Sequence, residues 1–111
     1  LASERWIDNE ATSAWCRRNL LEACAAAGFD PAFQVEAHDY TTAISFVGAG
    51  LGITVVPALA SRALPDGLRS VPAVRPTPVR TIYAVVRRTI AETAPARLVL
   101  ETLGSVVAEP V

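Results

Sequence analysis

His38, Asp39, Thr41 and Thr42 bring together an imidazole that titrates near neutral pH, a carboxylate and two hydroxyls. Hydroxyls and free backbone N–H groups at a helix start can hold a small carboxylate. Asn9, Glu10 and Thr12 offer a second polar group after the first apolar stretch. Each of these residues also has a plainer role: Asp39 and the second group as helix caps, His38 as a hydrogen-bonded or solvated loop residue. Catalytic chemistry is less well served. His38 is the only histidine, so neither a metal site nor a nucleophile triad can be assembled around a histidine pair or cluster. There is no G-x-S-x-G elbow, and Glu10, His38 and Asp39 are the only acid–base groups to consider. No catalytic residue, metal or cofactor is assigned. Cys16 and Cys24 lie eight residues apart, on one helical face but roughly 12 Å apart along the axis, too far to bridge. They read as small buried hydrophobes.

The elements that position these groups can be read around them. Trp6 and Ile7 within Arg5 to Asp8 suggest a short buried strand. A helix follows to about Ala27, with candidate caps at Asn9, Glu10, Thr12 and Ser13. Its apolar stripe is Cys16, Leu20, Ala23, Cys24 and Ala27, with Arg17, Arg18 and Glu22 off it. Gly28 suits the helix stop. Phe33 to Ala37 reads as a strand, and Asp39 or Thr41 caps a second helix that is apolar on most sides. Leu51 to Val56 has the composition of an interior parallel strand, ended by Pro57. Ala58 to Leu64 predicts a short helix, Pro65-Asp66-Gly67 a turn, and Leu68 to Val74 an extended run. Arg75-Pro76-Thr77-Pro78 is a stiff connector. Val79 to Arg88 predicts a strand, and Ala94 to Val107 a helix with Pro95 in its first turn. Strands alternating with helices make this an α/β chain. Polar groups at a strand's carboxyl end, beside a helix start, mark the place where small ligands bind in open α/β sheets. Gly48, Gly50 and Gly52 tempt a phosphate-loop reading. They follow a helix instead of preceding one, and position 53 is isoleucine, so a helix stop and close packing explain them better.

Composition narrows the function classes. With 111 residues, 51% hydrophobic, the chain predicts one globular domain. Its apolar runs fall short of the ~20 residues a membrane-spanning helix needs, and no secretory signal opens it. All ten basic residues are arginine and the net charge is −1, unlike a nucleic-acid-binding module with a basic face. Arg17-Arg18 and Arg87-Arg88 read as solvated pairs. The abrupt Leu1-Ala2-Ser3 start suggests a fragment of something longer.

From Leu1 to Leu103 the chain resembles the C-terminal half of the effector-binding domain of LysR-type transcriptional regulators. The resemblance rests on "LASERWID", "AAAGFDPAFQVEAHD", "ISFVGAGLGITVVPA", "LRSVPAVRPTPVRTIYAVVRR" and "APARLVLETL", in that order and spacing. It implies a fold like type II periplasmic binding proteins, with a mixed, mostly parallel sheet flanked by helices and an effector enclosed between two α/β subdomains. Residues 1–88 would be the second subdomain and its return strand. Residues 89–111 would be a C-terminal helix that packs on the first subdomain, leaving its apolar face exposed or covered by another copy. The resemblance implies that His38 and Asp39 contact the effector, with Thr41, Asn9 and Thr12 as further contacts. Family members commonly carry a small hydroxyl residue near position 38, so histidine is a departure. The implied protein is a cytoplasmic, homo-oligomeric bacterial regulator that senses a small effector such as a carboxylate. It would reach DNA only through an N-terminal domain that this chain lacks, and it makes no membrane contact. A solute-binding protein of the same fold in transport is the alternative, which upstream sequence would distinguish by a signal peptide in place of a helix-turn-helix. A small hydrolase or transferase is a third reading, distinguished by turnover that depends on His38.

Overall fold

Trp6 and Ile7 are both buried and point to opposite faces of the same strand, and this alternation organises the fold. The computed structural model describes residues 1–9 and 14–107. It divides into two compact units, Leu1–Arg80 and Thr81–Val111. In the first unit β1 (Arg5–Asp8) leads to α1 (Ala14–Ala26), then β2 (Ala32–Glu36) and α2 (Tyr40–Gly48). β1 and β2 pair in parallel, and Ile53 makes a single parallel bridge to Trp6. The α/β expectation is met, with a sheet smaller than foreseen.

The two faces of β1 carry two cores. Trp6 packs with Leu20 and Cys24 of α1, joined by Phe29, Phe33, Ile53 and Val55. Ile7 packs with Ala37 and Ala43, joined by Val35, Phe46 and Val47. α1 and α2 therefore cover opposite sides. Phe33 and Val35 would ordinarily share a face, being two residues apart. A register shift between Trp6 and Ile7 pairs Trp6 with Phe33 but Ile7 with Val35, so Phe33 joins the Trp6 core and Val35 the Ile7 core. Full burial of a side chain such as Ile7 contributes about 1.5–3 kcal/mol.

Both helices end as their glycines require. Gly28 has φ 85°, with its N–H donated to Ala25 O at 2.9 Å and Phe29 N–H to Cys24 O at 3.1 Å. Gly50 has φ 76°, with its N–H donated to Val47 O at 2.9 Å and Leu51 N–H to Phe46 O at 3.1 Å. These are paired left-handed stops that return the chain towards the core. Ala27, placed on the buried stripe by its spacing, is exposed because the stop begins there.

Several expected elements differ. Leu51 to Val56 is half-buried or exposed and joins the sheet only at Ile53, where Ile53 N–H donates to Arg5 O and Ile7 N–H to Ile53 O, both at 2.9 Å. Beyond that bridge, side chains replace the ladder: Thr54 Oγ1 donates to Ile7 O at 3.0 Å. Ala58 to Leu64 forms turns, with Ala60 N–H on Pro57 O and Ser61 N–H on Ala58 O. The Ser61 hydroxyl takes the same Ala58 carbonyl, competing with a helix too short to propagate. Pro65-Asp66-Gly67 turns as expected, with Leu68 N–H on Pro65 O. Val79 to Arg88 forms no strand. Val79, Ile82, Tyr83 and Val85 are exposed, since strand preference needs a neighbouring edge to act on.

In the second unit a short 3₁₀ turn, Arg88–Ile90, precedes α3 (Ala94–Val107). Leu98, Val99, Leu103 and Val106 of α3 are all exposed. Among the described residues no helix is long and apolar enough to cross a membrane.

Candidate functional site

The strands run parallel, so their carboxyl ends and the starts of the following helices meet at one edge. β1 is central: the chain moves to β2 on one side, then crosses back to Ile53 on the other. Such a reversal of strand order opens a crevice outside the carboxyl ends, between helices on opposite faces.

Asp8 and Asn9 end β1 here. The Asp8 carboxylate is buried and accepts from Arg17 Nε at 2.8 Å, while the Arg17 guanidinium lies 5.3 Å from the Phe33 ring centroid. Arg17 is thus not the solvated residue its sequence suggests: it is half-buried, bracing α1 against both strands. Arg18 does stay at the surface, 3.3 Å from Glu22. Asn9 is buried, and its amide donates to Val55 O at 2.5 Å and Thr54 Oγ1 at 3.2 Å. It ties the segment after Ile53 directly to the end of β1. Glu10, Thr12 and Ser13 lie outside the described residues.

His38 and Asp39 follow β2. Asp39 is the N-cap of α2: Oδ1 accepts from Thr42 N–H at 2.7 Å and Oδ2 from the Thr42 hydroxyl at 2.8 Å. These bonds, led by the Thr42 backbone N–H, hold its carboxyl below the ordinary value, with smaller help from Thr41 N–H and His38. His38 and Thr41 are exposed, and the Thr41 carbonyl accepts from Ser45 Oγ at 2.9 Å. The structure therefore brings His38, Asp39, Thr41 and Asn9 to one edge, but assigns them different tasks. Asp39 already satisfies the helix N–H groups that were expected to hold a carboxylate, and the Asn9 amide is directed into the fold.

One group at this edge escaped the sequence reading. Tyr40, the first residue of α2, lies beside Cys16 in the first turn of α1 and beside Arg80. Arg80 Nη1 also donates to Cys16 Sγ at 3.5 Å. Burial, with the Cys16 contact second, pushes the Tyr40 phenol up to about 12. Tyr40 stands beside Asp39 in sequence and could have been noticed, whereas nothing in the sequence brings Arg80 sixty-four residues back to Cys16. Neither cysteine forms a disulfide; Cys24 is buried, as its spacing implied, and Cys16 half-buried. Among the described residues, no cluster of three metal-ligating side chains occurs.

An apolar groove of about 580 Å³ is lined among others by Ile44, Val47, Ile53, Val55 and Leu68. His38, Asp39, Thr41 and Asn9 do not line it.

A parallel sheet, helices on both faces and polar groups at a strand-order reversal define an α/β domain suited to binding a small molecule. The family model for the LysR substrate binding domain matches residues 1–108, and the chain belongs to that family. Domains of this family are regulatory ligand-binding domains of LysR-type regulators. No curated protein and no solved structure matches the chain.

Proposed function

We propose that this chain is the effector-sensing part of a bacterial LysR-type transcriptional regulator and binds a small carboxylate at the carboxyl ends of β1 and β2. The observation that carries this reading is the reversal of strand order about β1, with Asn9 at one strand end and His38-Asp39 at the other. His38 and Thr41 are exposed and can touch the effector. Asp39 orders the loop that presents them, and Asn9 holds the opposite wall. Thr12 belongs to the same proposal through its place after β1. In the intact cytoplasmic regulator, a homo-oligomer, effector binding changes the relation between subdomains and biases DNA contact. That contact is made by another domain, in keeping with the net charge of −1 here.

Calorimetric titration of the intact regulator against a panel of charged and uncharged metabolites tests the reading. A binding member of the panel should lose about tenfold in affinity with His38→Ala or Thr41→Ala, the effect of one hydrogen bond. Unchanged affinity in both variants removes the 38–41 loop from the site, and a panel without any binding member refutes the sensor reading.

A further inference from the structure

Charge at the strand-end edge is unequally neutralised. Asp8 and Arg17 offset each other at 2.8 Å. The Asp39 carboxylate is occupied by the Thr42 N–H and hydroxyl. Arg80 reaches the same edge, because Cys16 and Tyr40 lie in the first turns of helices that follow β1 and β2. Its neighbours there are a phenol and a sulfur, and among the described residues no carboxylate forms an ion pair with it.

We propose that Arg80, held by Tyr40 and Cys16, is the residue that takes the effector's carboxylate. This rests on the sensor reading above and adds the group that supplies its positive charge. A guanidinium carries five N–H donors in a rigid planar fork. The contacts to Tyr40 and Cys16 engage part of that fork and fix its orientation. The remaining donors face solvent, since Arg80 is exposed, and can meet a carboxylate through two parallel bonds. Tyr40, like any phenol, is neutral at pH 7 and adds no repelling charge. One cation beside neutral neighbours complements a monoanion better than a doubly charged phosphate. The arrangement also explains how an anion could be held when the α2 N-terminus is already capped by Asp39.

The full chain, as wild type, Arg80→Gln and Arg80→Lys, is titrated with benzoate and acetate. Benzamide, acetamide and inorganic phosphate serve as controls, beside the wider metabolite panel. The expected result is carboxylate binding that weakens about tenfold or more in Arg80→Gln, less in Arg80→Lys, and that declines with added salt. Circular dichroism of the variants should match wild type, because the replaced side chain is exposed. Equal carboxylate affinity in Arg80→Gln overturns the proposal, as does equal binding of the amides or tighter binding of phosphate. If uncharged members of the wider panel bind and carboxylates do not, this proposal fails and the sensor reading stands. If nothing binds, both fail.

Discussion

Substituting alanine at Gly52 should damage the fold more than the same change at Gly50, two residues earlier. A Cβ at Gly50 would meet open space, so its cost is only the left-handed backbone at φ 76°, about 1–2 kcal/mol. A Cβ at Gly52 would run into the carbonyl oxygen of Arg5, with the Arg5 carbonyl carbon 3.0 Å away. Those are backbone atoms, and no rotamer change can relieve the clash. The same carbonyl accepts Ile53 N–H, and Ile7 N–H donates back to Ile53 O. Forcing the segments apart breaks this two-bond bridge, at about 1 kcal/mol per bond, and leaves a donor on buried Ile7 without its partner. With backbone strain added, Gly52→Ala should lose about 3 kcal/mol. Urea denaturation of the full chain, followed by circular dichroism, reads the difference as a lower midpoint at similar slope. A Gly52→Ala variant no less stable than Gly50→Ala would refute the idea that this glycine admits the close approach to β1.

The remaining predictions concern the edge residues. Asp8→Asn removes the counter-charge of half-buried Arg17 and should cost about 2 kcal/mol in the same assay, part of the loss being recovered as the guanidinium turns to water. Asp39→Ala should lower helicity through loss of the α2 cap, while Asp39→Asn keeps an acceptor for Thr42 N–H and should lose less. Because its carboxyl is lowered in the folded chain, the Asp39 contribution is present above the ordinary carboxylate value near 4. It is lost as pH falls through the lower folded value, so the acid limb of the stability curve should flatten in Asp39→Asn. Tyr40 should ionise near pH 12 by ultraviolet absorbance, a step that disappears in Tyr40→Phe. The raised value means its contribution is intact below pH 10 and declines towards 12. Ionisation of Tyr40 near 10 would contradict the half-buried placement of its phenol beside Cys16.

Local signals were legible where the chain interacts with itself over a few residues. The Asp39 cap, the stops at Gly28 and Gly50, the turn at Pro65-Asp66-Gly67 and the whole of α3 follow from residue types at short spacing. So did β1 and β2, since apolar strands flanked by polar turns have few other uses. The helix face was legible only in part: Leu20 and Cys24 are buried, but the stripe's last member, Ala27, is not.

Pairing was a different matter, because a strand is completed by an edge distant in sequence. Val79 to Arg88 and Leu51 to Val56 carry equally strong strand composition, yet the first pairs with nothing among the described residues and the second touches β1 at one point. Composition cannot announce whether that edge is present. The sequence by itself determined the class of fold, the polar loop at residues 38–41 and the kinship with LysR substrate binding domains. Tertiary structure decided what those polar groups can do. It turned Arg17 inward to Asp8, directed Asn9 to Val55, and carried Arg80 to Tyr40 and Cys16. Long flexible side chains find partners through space, so the surroundings of Arg17 and Arg80 were set by contacts that residue order does not record.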